Sequence, residues 1–129
     1  MNEQRILVVD TNILIHISNQ VVPVAALARR YDVLLISVVS EIEALGFAFA
    51  SAEQEVAMRE VLNAFQIIPL TSAEAVFTIQ YRRRRKSLKL PDAAILATAR
   101  AAGADLLTEN LTDFLDLDPR VRVLGLADL

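Results

Sequence analysis

The chain has no cysteine among its 129 residues, which excludes a disulfide scaffold, a thiolate zinc site and a cysteine nucleophile. It has one histidine, so a bound metal must take oxygen ligands or that single imidazole. Glycine (3) and proline (4) are scarce, which excludes a low-complexity linker or a fibre, and 54% hydrophobic content is more than a disordered segment carries. Neither GxGxxG nor GxxxxGK[ST] occurs, which removes the dinucleotide and P-loop readings. The longest stretch without formal charge, residues 11–28, is broken by Asn12, His16, Asn19, Gln20 and Pro23, so no bilayer span is expected. The apolar run that follows Arg5 is too short for a secretory signal and has no small-residue cleavage site. We therefore expect a cytoplasmic protein without membrane attachment, folded as one domain over residues 1–129.

What is present is unevenly distributed. Arg82, Arg83, Arg84, Arg85, Lys86 and Lys89 hold 6 of the 13 basic residues, and removing them from a chain of net charge −3 leaves a body of −9. Such a stretch reads either as a solvated helix face or as a phosphate-backbone contact beside an acidic, metal-seeking site.

Four consecutive aliphatics at Ile6–Val9 read as a strand of a parallel sheet covered on both faces, and Val33–Ile36 repeats the signature. Residues 66–68, 105–107 and 121–124 are shorter candidates. Helical periodicity predicts helices over 12–18, 23–30, 40–50, 52–64, 72–86 and 91–102, with a short turn at 111–115. Pro91 suits the first helical position and Gly103 the end of that helix. The expectation is an α/β fold of three layers, a mostly parallel sheet of four to five strands with helices on both faces. Phe47, Phe49 and Phe65, with Met58 and Leu62, read as core or as a dimer contact.

In open parallel sheets the ligand site lies beyond the carboxyl ends of the strands, at the point where strand order reverses. Asp10 directly follows the first strand there, and it reads either as a helix cap or as a ligand. Glu41 and Glu43 lie about 200° apart on a helix, so only one of them can face the sheet edge. Asp92 stands in the first turn of an otherwise apolar helix, where the macrodipole favours an acid and where a sheet-edge pocket could also use one. The sequence Thr108-Glu109-Asn110-Leu111-Thr112-Asp113-Phe114 follows another strand and reads as a polar loop anchored by Phe114 or as a further source of oxygen ligands. Carboxylates brought together repel unless a cation lies among them, and all-oxygen ligation selects Mg²⁺ or Mn²⁺. His16, on the first helix, reads as a partly covered structural residue.

Val8-Val9-Asp10-Thr11-Asn12, Ser40-Glu41-Ile42-Glu43, the stretch from Leu90 to Ala99, and Leu107-Thr108-Glu109-Asn110 with Asp113-Phe114 occur in that order within residues 5–124. Together they resemble the motifs of PIN-domain ribonucleases, most nearly the VapC-like toxins of type II toxin–antitoxin pairs. The resemblance implies hydrolysis of RNA phosphodiester bonds by a water activated on Mg²⁺ or Mn²⁺, with no Ser, Cys or His nucleophile. It implies Asp10, Glu43 and Asp92 as the first three acids, Glu43 as ligand or base, and Glu41 as the alternative to Glu43. The fourth place falls to Asn110, where many members have Asp, or to Asp113. Thr11, Asn12 and Thr108 match positions that support the pocket through hydrogen bonds. The basic stretch from Arg82 to Lys89 becomes a candidate RNA contact. A small antitoxin partner and a homodimer are also implied, with residues 44–50 and 56–65 as candidate surfaces.

Two other readings stand beside this one. Haloacid-dehalogenase-like phosphatases also open on a strand ending in Asp, but they carry a second Asp two residues on, where this chain has Asn12. A catalytically silent PIN-fold module that binds RNA or protein is favoured only by Asn110.

Overall fold

In the computed structural model, residues 3–46 and 48–129 are described. Ile6–Val9 forms strand β1, and its residues point alternately to the two faces of the sheet, as the strand period requires. Leu7 and Val9 enter a core with Ile13, Leu14, Leu27, Met58, Leu62 and Phe65, while Val8 enters a second core with Leu35, Ile95, Leu96, Leu106 and Phe114. Each fully buried Leu or Ile in these layers contributes about 1.5–3 kcal/mol.

Helices α1 (Thr11–Ser18) and α2 (Val24–Arg30) lead to β2 (Val33–Ser37), followed by α3 (Val38–Leu45), α4 (Ala52–Leu62) and β3 (Gln66–Ile68). The chain continues through α5 (Ser72–Arg84), α6 (Leu90–Ala102), β4 (Asp105–Leu107), α7 (Leu111–Phe114) and β5 (Val123–Leu124), and closes in a 3₁₀ turn, Leu126–Asp128. The five strands are all parallel in the order β3-β2-β1-β4-β5. The expected three-layer α/β architecture is thus the observed one. Strand order reverses between β1 and β4, which opens the crevice at their carboxyl ends.

The ends of α6 follow local chemistry: Pro91 lies in its first turn, and Gly103 at φ 65° closes it while the Ala104 N–H donates to the Ala99 carbonyl. From Ala93 to Ala99 every residue of α6 is buried, as an apolar helix inside a three-layer domain must be.

The boundary of α3 corrects the expected 40–50 span. It starts at Val38 because the Ser37 side chain accepts the Val39 N–H at 3.1 Å, and it ends before Gly46. The expected helix over 72–86 ends at Arg84, and the strand expected over 121–124 is confined to Val123–Leu124 because Val121 is still held in a turn by its bond to the Asp118 carbonyl. Met58, Leu62 and Phe65 lie in the first core with Phe49 partly buried against it, whereas Phe47 lies outside the described residues.

Candidate active site

Asp10 leaves β1 at the crevice and is only 4% exposed. Its N–H donates to the Leu107 carbonyl at 2.9 Å, which ties the end of β1 to the end of β4. Its two carboxylate oxygens are held separately. Oδ1 accepts the Thr11 N–H at 2.7 Å, and Oδ2 accepts the Thr108 hydroxyl at 2.8 Å. Thr108 is fully buried, and its oxygen also accepts the Asn110 N–H at 3.0 Å, so one hydroxyl fixes both the acid after β1 and the loop after β4. Burial pushes the Asp10 carboxyl above the usual range, with the charges of Glu43 and Glu109 adding to the rise and the two hydrogen bonds opposing it.

On α3 the choice between the two glutamates is made by Thr11. Its hydroxyl donates to Glu43 Oε1 at 2.7 Å and lies 3.0 Å from the hydroxyl of buried Ser40. Ser40 and Glu43 are three residues apart and share a helix face, which is the signal by which a role for Ser40, a member of the quoted motif with no role assigned from sequence, could have been found. Glu41 lies outside this contact network.

Glu43, Arg85, Ser87, Leu88, Lys89, Pro91, Asp92, Asn110 and Asp113 line a cleft of about 310 Å³. Asp92 enters it from the first turn of α6. Its carboxyl is pushed up to about 6, first by burial, then by the charges of Asp10, Asp113 and Glu43, with Lys89 partly compensating. The fold thus brings Asp10, Glu43, Asp92, Asn110 and Asp113 to one edge of the sheet. Asn12 stands exposed on α1, and His16 does not line this cleft; its imidazole contacts the Glu109 carboxylate.

The basic stretch divides into two kinds of residue. Arg82 donates to the Leu88 carbonyl at 2.6 Å, Arg84 to the Leu117 carbonyl at 2.8 Å, and Arg85 to the carbonyls of Asp113 and Leu115. Arg83, Lys86 and Lys89 are exposed and make no such bond among the described residues; Arg83 and Lys86 instead line a shallow groove with Ile79 and Leu90.

A divalent cation is implied by the donor chemistry. Among the described residues, no three His, Cys, Asp or Glu side chains are placed closely enough together to hold a metal ion. The donors are nevertheless of the kind a hard cation takes, carboxylates and one amide oxygen, with Asp10 and Asp92 both raised by burial and by neighbouring acids, and Mg²⁺ retains several waters on few protein ligands.

Comparison with known proteins gives this arrangement a family. The PIN domain matches residues 7–118. No curated protein matches the chain. Among solved structures, a chain of a toxin-antitoxin complex from Klebsiella pneumoniae is 32% identical, with a TM-score of 0.72, the match covering 92% of this chain and 95% of that one. Chains of VapBC2 from Rickettsia felis bound to a promoter DNA fragment (18% identity, TM-score 0.79, covering 93% and 98%) and of DNA-bound VapBC from Salmonella typhimurium (20%, 0.77, covering 94% and 98%) are similar in fold. With its parallel sheet, its acids gathered at the β1–β4 crevice and this match over most of its length, the chain belongs to the PIN-domain family, whose members are generally nucleases.

Proposed function

We propose that this PIN domain is a Mg²⁺- or Mn²⁺-dependent endoribonuclease, the toxin of a toxin–antitoxin pair, acting in the cytoplasm as a homodimer. The observation that carries the reading is the electrostatic coupling of Asp92 to Asp10, Asp113 and Glu43 at one edge of the sheet. An acid raised by burial and, beyond that, by neighbouring carboxylates is a group poised for a cation. Asp10, Asp92 and Asp113 would hold the metal, with Asn110 as a neutral oxygen donor beside them. Bound there, a divalent cation supplies a water of lowered pKa and positive charge against the phosphoryl oxygens. Glu43, fixed by Thr11 through one oxygen, keeps the other to accept a proton from the attacking water. Asp10, held by Thr11 and Thr108, cannot swing out of the crevice and gives the site its fixed point.

The exposed Arg83, Lys86 and Lys89 are the candidate contacts to the RNA backbone. Replacing Arg83 and Lys86 together with Ala is expected to reduce the slope of log affinity against log salt by about 1 to 2, as removal of one or two phosphate contacts does. An unchanged slope in a filter-binding titration would return these residues to an ordinary solvated face. Exposed Ile42 on α3 and Val56 on α4 offer apolar surface for the antitoxin or for a second copy.

The fourth position has its own test. Asn110→Asp is expected to tighten Mn²⁺ binding about tenfold, since ligand charge sets affinity for hard cations. No change by calorimetry would leave that role to Asp113 alone.

The reading as a whole is tested by incubating a structured RNA pool with the purified chain, freed of any co-purifying partner, with Mn²⁺ or with chelator. Cutting that requires the metal supports it. Absence of cutting together with absence of Mn²⁺ binding would favour the silent binding module to which Asn110 points.

A further inference from the structure

The one-turn helix α7 carries Asp113 on the rim of the cleft, yet little within it fixes its position. Four residues cannot satisfy their own terminal carbonyls, and the Asn110 side chain at its start makes no capping bond. The partners come from the end of α5. Arg85 donates one guanidinium N–H to the Asp113 carbonyl and another, at 2.6 Å, to the Leu115 carbonyl, while Arg84 donates to the Leu117 carbonyl at 2.8 Å. Phe114, between the two carbonyls that Arg85 takes, is buried. Two arginines thus grip the carbonyls of residues 113, 115 and 117 while Phe114 anchors the same segment in the core. The Asp113 side chain makes no hydrogen bond among the described residues, so the placement of its carboxylate rests on this grip on its backbone. A planar guanidinium can bridge two carbonyls in a way that an ammonium cannot.

We propose that Arg85 is a positioning residue that holds Asp113 and α7 against the acidic cleft, and not a contact to RNA. The consequence for metal binding rests on the reading of the cleft given above; the mechanical part does not.

The test compares Arg85→Ala, Arg85→Lys and Arg84→Ala by amide hydrogen exchange over residues 111–117, Mn²⁺ calorimetry and the salt dependence of RNA binding. In Arg85→Ala, exchange over this segment is expected to accelerate about tenfold or more, and Mn²⁺ affinity to fall about 10- to 100-fold, as on loss of a group that orients a metal ligand. The salt slope is expected to stay at the wild-type value. Arg85→Lys, which keeps the charge, is expected to recover less than half of the exchange protection, and this variant decides the question should the alanine variant fail to fold. Arg84→Ala is expected to loosen residues near Leu117 with a smaller effect on Mn²⁺. Unchanged exchange in Arg85→Ala, full recovery in Arg85→Lys, or a salt slope reduced as for a lost phosphate contact would each overturn the proposal. A wild-type chain that binds no Mn²⁺ would overturn the metal reading of the cleft, and exchange would still decide whether Arg85 holds α7.

Discussion

Asp92→Asn is expected to abolish metal-dependent RNA cleavage while making the metal-free chain more stable at neutral pH. The two effects have one cause. In the folded chain burial and the charges of Asp10, Asp113 and Glu43 push the Asp92 carboxyl from 3.8 to about 6. A carboxylic acid with a raised folded pKa binds its proton more tightly folded than unfolded, so stability falls as pH rises from about 4 through 6, and the penalty is complete above that. A rise of this size corresponds to about 3 kcal/mol at full effect. Partial solvent exposure and loss of the favourable first-turn charge on α6 reduce the expected gain to about 1–2 kcal/mol. Urea denaturation in chelator should show the variant more stable at pH 7.5, with most of the difference gone by pH 4. Saturating Mn²⁺ should reverse the order, because only the wild-type site binds it well and binding stabilises the folded state. Cleavage should fall by more than about a hundredfold, beyond the loss typical of an outer partner of a metal ligand. A variant that cuts RNA normally would remove Asp92 from the site, and one that gains no stability at pH 7.5 would show that burial and the neighbouring carboxylates together do not destabilise the Asp92 carboxylate.

Residues that act locally were legible in the sequence. Ile6–Val9 could hardly be anything but a covered strand, Pro91 and Gly103 delimit α6 by backbone chemistry alone, and the acid after the first strand follows from the geometry of parallel sheets. Elsewhere local signals conflict. Val38 and Val39 extend an apolar, β-branched run, so the start of α3 was hidden until the Ser37 side chain capped it. Periodicity stated that only one of Glu41 and Glu43 could face the edge; the choice needed Thr11, 32 residues from Glu43 in the chain. The six cations between Arg82 and Lys89 are alike in composition, yet Arg84 and Arg85 are set apart by partners 28 to 33 residues away, which no local pattern encodes. The pairing of His16 with Glu109 is of the same kind: the structural reading of His16 needed only its helix, but its partner needed the fold.

The same dependence on distant partners makes Thr108→Val the most informative change outside the carboxylates. Valine has nearly the shape of threonine, so the substitution leaves the packing at this fully buried position intact and removes one hydroxyl. Two groups lose a partner: Asp10 Oδ2, which accepts from it at 2.8 Å, and the Asn110 N–H, which donates to it at 3.0 Å. A buried acceptor and a partly buried donor left unsatisfied cost about 2–3 kcal/mol together, a large share of the roughly 5–15 kcal/mol that holds a domain folded. The loss should depend on pH in a definite sense. The hydroxyl lowers the Asp10 pKa against the larger effect of burial, so its stabilisation is present where Asp10 is ionised and is lost as pH falls through the folded pKa of that group. Thr108→Val should therefore be most destabilised at pH 7.5 and closest to wild type in acid, while Thr108→Ser, which keeps the donor, should retain most of the stability at both. Metal affinity should fall about 10- to 100-fold in the valine variant, because Asp10 loses the contact that orients it. A valine variant as stable as wild type at pH 7.5 would mean that the Asp10–Thr108 bond contributes nothing to the fold. A stability loss without a change in Mn²⁺ affinity would separate the two roles, leaving Thr108 to hold the β1–β4 crevice closed and Asp10 to be oriented by the Thr11 N–H alone.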